Sequence, residues 1–463
     1  MRTHDRTGRG PRPHRPVNPP SPLALVASAL ARAFLTGDWV PDDMASRGHH
    51  AVGHRRTWVL DLARAARSGY PDAPRDRPRD LAAFLEACRV LTNGLARDRA
   101  AGRPPPHVRR WYTPEPSMGP APWPVARLST RRDLQDFLGL DPGSLAWFVD
   151  AKGWERTVDH EPLRHYRYRW SPKRAGGHRL IEEPKPVLKH VQRRILHDVL
   201  DAIPPHAAAH GFRAHRSVVT HARHHAGQPA VVRFDLESFF SSISAARVYG
   251  LFRTAGYPED VAHALTALCT NVVPRAVWRS APRTDDPAAH HRLGRRLATP
   301  HLPQGAPTSP AIANLAAFGL DRRLHGLAEA TGARYSRYAD DLTFSGPHRL
   351  WRRAPELGRL VAAIAAEEGF RLNDGKTSRR AAGERQLVTG LVVNAHPNVR
   401  RADYETLKAT VHNALRTGGQ AQDREGHHDF RAHLGGRIAW LEHVHPARGA
   451  RLRAEFDRIS WDR

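Results

Sequence analysis

Cysteines and long apolar runs are both scarce in this sequence. Cys88 and Cys269 are the two cysteines among 463 residues, and they lie far apart without a C-x-x-C pair. The sequence therefore gives no support for a disulfide framework or a zinc knuckle. The longest apolar runs, such as Pro22–Leu30, are much shorter than the ~20 residues needed to cross a membrane. Because no apolar signal core follows the basic N-terminus, we expect a cytoplasmic protein with no membrane partner.

Acidic residues are also in short supply. The 72 lysines and arginines outnumber the 46 aspartates and glutamates, which gives a formal net charge of +26. An excess of this size favours binding to a polyanion through phosphate contacts and counterion release, although it does not indicate which nucleic acid. The content of 40% hydrophobic and 25% charged residues is otherwise ordinary for a soluble globular protein.

Composition and periodicity divide the chain into five segments. Residues 1–22 are rich in Arg, Pro and His and are predicted to form a disordered basic tail. Apolar residues at helical spacing predict a helical N-terminal module over 23–100, and a Pro-rich linker follows over 101–127. Residues 128–394 mix strands and helices, whereas 395–463 are helical throughout. This alternation predicts an α+β fold with a helical appendage. No motif before residue 125 indicates a function.

Three aspartates are the candidate catalytic residues. Asp235 ends the short apolar strand that begins at Ala230, and Asp340 and Asp341 lie where a β-hairpin would have its tip. Adjacent carboxylates repel each other unless a cation lies between them. Two metal ions roughly 3.5–4 Å apart, held by such carboxylates, would stabilise both oxygens of a phosphoryl transfer, and Mg²⁺ suits such ligands. An Asp-Asp pair alone is more often a solvated turn. Whether this pair is a catalytic site therefore depends on the other motifs in the sequence.

Those companions lie on both sides of the hairpin in the sequence. The stiff loop Leu302–Pro310 leads into a predicted helix, and Phe240 lies shortly after Asp235, where an aromatic ring could crowd a sugar. Arg179 and Arg213 offer guanidinium groups suited to a triphosphate.

These segments, taken in order, resemble the motifs of reverse transcriptases over roughly residues 130–460. The matching segments are Arg179–Gln192, His210–Arg213, Phe234–Phe240, Leu302–Gly305, Tyr338–Asp341, Leu372–Thr377 and Val388–Leu391. The resemblance implies a right-hand polymerase fold. Fingers and a palm would occupy 128–394, with an antiparallel sheet that carries the catalytic hairpin, and a short helical thumb would occupy 395–463. The N-terminal module would be a helical extension of this fold.

The resemblance also implies roles for single residues. Asp235, Asp340 and Asp341 would bind two Mg²⁺ ions, with Mn²⁺ as an alternative ion, and the Leu236 carbonyl would add a ligand. The implied nucleotide-binding residues are Arg179 and Arg213 at the triphosphate, Phe240 as the gate against a ribose 2′-hydroxyl, Gln304 near the sugar or base, and Lys376 at the leaving pyrophosphate. The residues implied at the primer terminus are Val388, Thr389, Gly390 and Leu391.

Two further elements resemble the retron type of reverse transcriptase. Retron enzymes have an N-A-x-x-H element, and His221–His225 resembles it with histidine in place of asparagine. Val388–Gly390 matches the retron V-T-G element. His221 and His224 are therefore candidate RNA contacts, and for His224 a capping or core role is the alternative. The helical segment after Asn394 is shorter than the maturase and endonuclease domains of group II intron proteins, so we expect a retron thumb.

A retron enzyme would copy a cognate noncoding RNA. Its primer is a guanosine 2′-hydroxyl within that RNA, and its product is a branched RNA–DNA hybrid called msDNA. The implied partners are this RNA, its DNA product, deoxynucleotides and a candidate effector protein in antiphage defence. One alternative is a non-retron reverse transcriptase of the intron-derived or abortive-infection type. Another is a catalytically silent nucleic-acid-binding scaffold, against which the intact aspartates argue.

Overall fold

The computed structural model describes residues 21–157, 160–173, 177–284 and 286–461. The predicted basic tail therefore lies outside the described residues, apart from its last two. The fold divides into two compact units. The smaller one, called the N-terminal unit below, contains the described residues up to Pro120 together with Leu128–Thr130 and Gly256–Val261. The larger one, called the main unit, contains Ala121–Arg127, Arg131–Ala255 and the chain from Ala262 onward. The domain boundaries drawn from the sequence remain predictions.

The N-terminal unit contains a bundle of five helices within the described ranges. These are α1 Pro22–Leu35, α2 Pro41–Val52, α3 Thr57–Gly69, α4 Pro78–Ala87 and α5 Arg89–Ala100. Helix α1 begins at Pro22 because the Ser21 hydroxyl accepts a hydrogen bond from the Ala24 backbone nitrogen at 3.0 Å. The apolar faces meet in one core, where Phe34 and Leu62 are fully buried. Residues 101–127 form neither a helix nor a strand.

The main unit combines helices with short strands. Its helices are α6 Arg131–Leu138, α7 Pro142–Val149, α8 Pro186–Ile195, α9 Val218–His225, α10 Ala245–Thr254, α11 Glu259–Cys269 (which begins in the N-terminal unit), α12 Arg275–Arg279, α13 Pro287–Leu297, α14 Ser309–Ala316, α15 Phe318–Thr331, α16 His348–Arg352, α17 Ala354–Glu367, α18 Arg401–Thr417, α19 Phe430–Val444 and α20 Pro446–Phe456. Its strands are β1 Tyr166–Pro172, β2 His178–Pro184, β3 Ala230–Asp235, β4 Arg334–Tyr338, β5 Asp341–Gly346, β6 Ser378–Ala381, β7 Leu387–Val388 and β8 Leu391–Val392.

The central sheet has four antiparallel strands in the order β4-β5-β3-β6. Its apolar side chains pack against the surrounding helices, and Val232, Phe234 and Phe344 are buried. Strands β1 and β2 form a separate hairpin, as do β7 and β8. An antiparallel sheet surrounded by helices agrees with the α+β class that the sequence predicts.

Two helical stretches of the main unit have a clear apolar periodicity in the sequence. The periodic stretch Val187–Ile203 forms α8, which continues as a π-helical turn over Leu196–Leu200 and ends before Pro204, where proline removes a donor. The chain after Asn394 forms α18, α19 and α20 around a common apolar core. Among the helices of the described ranges, none combines the length and the apolar character that a membrane span requires.

Candidate active site

The three candidate aspartates meet at one end of the central sheet. Strands β4 and β5 are joined by Ala339 and Asp340 alone, since Tyr338 pairs with Asp341. Strand β3 lies on the other side of β5, and its last residue, Asp235, is directly opposite Asp341. The Leu236 backbone nitrogen donates to the Asp340 carbonyl at 2.9 Å. The register of β3 against the hairpin thus brings together carboxylates from distant parts of the sequence.

A buried ion pair supports this hairpin from below. The Arg337 guanidinium lies 2.7 and 2.8 Å from the two carboxylate oxygens of Asp321 on α15, and both side chains are inaccessible to solvent. The same guanidinium donates to the Ala339 carbonyl at 3.0 Å. Ala339 has a φ of 56°, which is unusual for a residue with a Cβ. The ion pair therefore helps to hold the hairpin tip in an uncommon conformation.

Glycine is required where another loop crosses the hairpin. A Cβ placed on Gly211 would lie 2.8 Å from the Ala339 backbone nitrogen, closer than van der Waals contact permits. The Gly211 carbonyl accepts a hydrogen bond from the Asn314 side chain at 2.9 Å. The His210–Arg213 segment is thus fixed against the tip that carries Asp340.

Basic side chains contact two of the three aspartates. Lys376 Nζ lies 3.0 and 3.1 Å from the carboxylate oxygens of Asp235. Arg233 forms a two-point ion pair with Asp341, with Nε 3.1 Å from Oδ1. Burial raises the pKa of Asp340, and repulsion from Asp235 raises it further. Burial also raises the pKa of Asp341, against the opposing effect of Arg233.

The chemical type of these side chains, carboxylates with oxygen ligands, suits a divalent cation. Within the described ranges, no group of three or more His, Cys, Asp or Glu side chains is already arranged around a metal position. However, three carboxylates at adjoining strand ends supply the hard oxygen ligands that Mg²⁺ takes. Burial raises the pKa of Asp340, the charge of Asp235 raises it further, and a bound cation would relieve that repulsion.

A cleft of about 950 Å³ opens in front of Asp235 and Asp340, and Asp341 is not part of its lining. Predicted site residues that line it are Asp235, Leu236, Asp340, Arg179, Phe240, Gln304 and Lys376. The Gln304 carbonyl accepts a hydrogen bond from the Glu182 nitrogen at 2.9 Å, which ties this loop to β2. Gly305 has a φ of 137°, and a Cβ there would lie 2.7 Å from the Glu182 carbonyl oxygen. The Gln-Gly pair therefore allows the loop to approach β2 closely.

Lys173 is a cleft residue that the sequence reasoning missed. It follows β1 and lines the cleft together with Arg179 of β2. Burial lowers the pKa of the Lys173 amine, and the charge of Lys376 lowers it further. The signal in the sequence was weak, because only its place at the end of a strand that pairs with the Arg179 strand distinguishes it from other basic residues.

Arg213 does not line the cleft. Its guanidinium lies 3.4 Å from the His206 carbonyl, while the neighbouring Phe212 faces the cleft with its ring centroid 6.1 Å from that of Phe240. This placement gives no support to the predicted triphosphate contact of Arg213. Phe212 has a φ of 58°, and a local backbone reversal of this kind could not be recognised from the motif.

The histidine element needs a correction. Counted along N-A-x-x-H, the final histidine falls on His225 and not on His224. His225 is fully buried, and its two ring nitrogens lie 2.7 Å from the hydroxyl oxygens of Ser345 and Ser336. It therefore connects β4 and β5, the two strands of the hairpin that carries Asp340 and Asp341. His224 is exposed and lines a shallow pocket of the main unit with Arg216.

His221 lies beside His225, with the centres of the two rings 5.4 Å apart. Its side chain is inaccessible to solvent, and Nδ1 is 3.5 Å from the hydroxyl oxygen of Thr389. This burial argues against the direct RNA contact that the sequence suggested for His221. The His221 side chain instead packs from α9 against the turn that carries Thr389.

The V-T-G element forms a tight turn between β7 and β8. Thr389 and Gly390 have φ values of 45° and 86°, the combination of a type I′ hairpin turn. Val388 and Leu391 are buried on either side of it. The exposed tip of the turn lines a second cavity of about 560 Å³, together with side chains of α18 and α19 such as Tyr404 and Trp440. Thr389, Gly390 and Leu391 all line this cavity, whereas Val388 does not.

Comparison with known proteins identifies the class of this fold and site. Residues 171–400 match the family model described as reverse transcriptase (RNA-dependent DNA polymerase). The matched range contains all three aspartates and the residues that line the cleft. The chain is thus an RNA-directed DNA polymerase, or reverse transcriptase.

Its relatives define the family more narrowly. The chain is 38% identical over 350 residues to retron Mx162 reverse transcriptase of Myxococcus xanthus, an alignment that covers 72% of this chain and 68% of the relative. It is 38% identical over 323 residues to retron Mx65 reverse transcriptase of the same organism, covering 70% of each. Retron Ec86 reverse transcriptase of Escherichia coli is 31% identical over 252 residues, covering 53% of this chain and 70% of the relative. The chain therefore belongs to the retron reverse transcriptases.

One similarity to a solved structure is too weak to support the family assignment. A structure of telomerase from Candida albicans with a fragment of telomeric RNA aligns with 62% of this chain and 54% of that chain, at 10% identity and a TM-score of 0.33. A similarity at that level carries no argument about the fold.

Proposed function

We propose that this reverse transcriptase copies a cognate noncoding RNA into a branched RNA–DNA hybrid, with a guanosine 2′-hydroxyl of that RNA as the primer. The observation that carries the proposal is the meeting of Asp235, Asp340 and Asp341 at one end of the central sheet. Asp235 and Asp340 face the cleft there, in a chain of the retron family. A dedicated RNA would use the strongly basic character of the chain for phosphate contacts.

In this proposal the main unit is arranged as a right-hand polymerase. The β1–β2 hairpin and α8 are the fingers, the four-stranded sheet with the catalytic hairpin is the palm, and α18, α19 and α20 are the thumb. The separate core of the three C-terminal helices supports the last assignment. The N-terminal unit would be an addition to this polymerase.

The aspartates are the proposed ligands of two Mg²⁺ ions, with Mn²⁺ as a substitute. Asp235, Asp340, Asp341 and the Leu236 carbonyl would hold the ions, which when bound supply charge neutralisation at the attacking and leaving oxygens. Lys376 lies beside Asp235, where its ammonium can orient that carboxylate and then donate a hydrogen bond to the leaving pyrophosphate. Arg233 orients Asp341 through a two-point contact.

The remaining cleft residues are proposed to select and position the deoxynucleotide. Arg179 and Lys173 provide positive charge for the triphosphate on one wall of the cleft. Phe240 is half-buried on the cleft wall, where its ring would exclude a ribose 2′-hydroxyl. Gln304 would touch the sugar or base from its anchored loop. Thr389 and Gly390 would approach the primer strand from the turn between β7 and β8.

The proposed partners are the noncoding RNA, its DNA product and an effector protein in antiphage defence. The nucleic acid that copurifies with the expressed chain tests this directly. We expect RNA and complementary DNA joined by a 2′–5′ linkage, which debranching enzyme separates into two strands. DNA primed by a 3′-hydroxyl on unrelated RNAs would contradict the retron mechanism and favour a non-retron reverse transcriptase.

A further inference from the structure

The N-terminal unit carries an exposed strip of arginine and aromatic side chains, called the Arg–Trp strip below. Its members are Arg32 of α1 together with His107, Arg109, Arg110, Trp111 and Tyr112. The strip has a fixed backbone, because the nitrogens of Arg109 and Arg110 lie 2.8 and 3.2 Å from the Ala51 carbonyl at the end of α2. An extended segment is thus anchored across a helical bundle instead of forming a free linker.

The aromatic rings of the strip are covered on one side by arginine. The Arg32 guanidinium carbon lies 5.6 Å from the centre of the Trp111 ring, and that of Arg110 lies 4.8 Å from the centre of the Tyr112 ring. Trp111 nevertheless remains 50% exposed. An indole held by a cation and open to solvent is a platform on which a flat group can stack.

Positive charge predominates along the strip. Between Arg99 and Pro114 the sequence contains no acidic residue. Burial lowers the pKa of Arg47 on α2, and the charges of Asp43 and Asp38 oppose this lowering, so these two acids lie near Arg47. Arg109 and Arg110 are exposed and are available to a polyanion.

The apolar surface of this unit does not favour a protein partner. Its exposed large hydrophobic residues within the described ranges are Leu25, Val40 and Trp111. A protein interface usually has a contiguous apolar centre, and two of these three residues lie outside the strip. Aromatic rings alternating with arginine are instead typical of single-strand nucleic-acid binding, where every base offers a face for stacking.

We infer that the Arg–Trp strip binds single-stranded RNA, with Trp111 and Tyr112 stacking on unpaired bases and the arginines contacting phosphates. That the bound strand belongs to the cognate noncoding RNA rests on the proposed function. Binding by the strip itself does not depend on polymerisation.

The test uses the full-length chain and a 4-thiouridine oligouridine of about 20 nucleotides, a length that exceeds common single-strand binding sites. After irradiation, mass spectrometry maps the crosslinked residues. We expect crosslinks at Trp111 and Tyr112. Replacing Trp111 by leucine should reduce the Tyr112 crosslink about tenfold, since a stacked base contributes strongly to binding. Trp111→Phe should restore it, because phenylalanine stacks and leucine does not.

The arginines are tested by the salt dependence of the same crosslink. Arg109→Ala combined with Arg110→Ala should make crosslink formation less dependent on salt, by a slope of about 0.7 for each lost phosphate contact. Arg64→Ala is the matched control, since Arg64 is exposed on α3 of the same unit and pairs with Asp61. It should leave both yield and slope unchanged.

Three results would overturn the inference: no crosslink on the strip when other residues are labelled, equal yields in Trp111→Leu and the unaltered chain, or capture of a protein but no RNA by a photocrosslinker placed at Trp111 in cells. Because no deoxynucleotide is present, a failure of the proposed polymerase function would leave the crosslink intact. Conversely, branched DNA synthesis without a strip crosslink would reject this inference alone.

Discussion

At the scale of the residue, Phe240 offers a test of nucleotide selection. We expect Phe240→Ala to raise incorporation of ribonucleotides, because loss of the ring frees the space that a 2′-hydroxyl needs. The ratio of kcat/KM for deoxynucleotides over ribonucleotides should fall by about tenfold or more. Phe318→Ala is the control, since Phe318 is 43% exposed and lies outside the cleft lining. An unchanged ratio in Phe240→Ala would remove Phe240 from the gate.

Asp340 makes a second prediction at this scale, which concerns stability. Its pKa is raised above 3.8 by burial and by Asp235. The contribution of this group to stability is therefore present below its unfolded pKa and is lost as the pH rises through the folded pKa. In EDTA near neutral pH, Asp340→Asn should raise the thermal unfolding midpoint, because it removes a buried charge. Added Mg²⁺ should then stabilise the unaltered chain more than the variant.

The control for that measurement is Asp201→Asn. Asp201 is exposed and pairs with His197 away from the cleft, so the variant should respond to Mg²⁺ as the unaltered chain does. A lower midpoint for Asp340→Asn in EDTA, or equal stabilisation of both chains by Mg²⁺, would contradict the account of crowded carboxylates.

At the scale of the element, helix α9 and the His210–Arg213 segment beside it couple protonation to stability, since the His210 and His221 rings lie 5.4 Å apart. Burial lowers the pKa of His210 from 6.5 to about 4 and that of His221 from 6.5 to about 3. These neutral histidines stabilise the fold above pH 6.5, and that contribution is lost as the pH falls toward their folded values. We expect the free energy of unfolding by urea to decrease between pH 6.5 and about 4.

A variant of α9 isolates the contribution of His221. His221→Asn introduces the asparagine of the retron pattern, which does not titrate, and should make the dependence of unfolding free energy on pH shallower. His197→Asn is the control, because His197 is exposed. A slope unchanged by His221→Asn would show that His221 does not contribute to the acid sensitivity.

The turn between β7 and β8 gives another prediction for an element. Gly390 has a φ of 86°, so Gly390→Ala should destabilise the chain by roughly 1–2 kcal/mol. Gly326→Ala is the matched control, because Gly326 lies inside α15 with no atom near its Cβ position, and alanine there should stabilise by about 0.5–1 kcal/mol. Denaturant midpoints measure both. Equal effects would contradict the assigned turn.

At the scale of the whole molecule, the order of motifs made much of the site predictable. Asp235 and the Asp340–Asp341 pair are distant in sequence, yet the motif order placed them in one site, and strands β3 and β5 bring them together. Arg179, Phe240 and Gln304 likewise share one cleft. Short motifs of this kind record which residues must converge, even though they do not describe the path of the chain.

Other parts of the site depend on contacts that no motif records. The role of His225 depends on the positions of Ser336 and Ser345 across two strands. Arg213 does not line the cleft, whereas the neighbouring Phe212, which has a left-handed backbone conformation, does. The place of Lys173 in the cleft depends on the position of the β1–β2 hairpin beside the cleft. These three cases depend on contacts and backbone conformations that the short motifs do not specify.

The N-terminal unit was predictable as a helical element but not as a surface. Helical spacing indicated its helices, whereas the Pro-rich composition of 101–127 suggested only a linker. The backbone contacts to Ala51 turn part of that stretch into an ordered surface with exposed arginine and tryptophan. Such contacts have no signature in composition.

The most direct test of the central claim is primer extension on an RNA template with the full-length chain. We expect DNA synthesis that requires Mg²⁺ or Mn²⁺ and falls at least about a hundredfold in Asp340→Asn, because that change removes transition-state charge stabilisation. Asp201→Asn should retain full activity. Full polymerisation by Asp340→Asn, or synthesis that persists in EDTA, would contradict the assignment of the active site to these carboxylates.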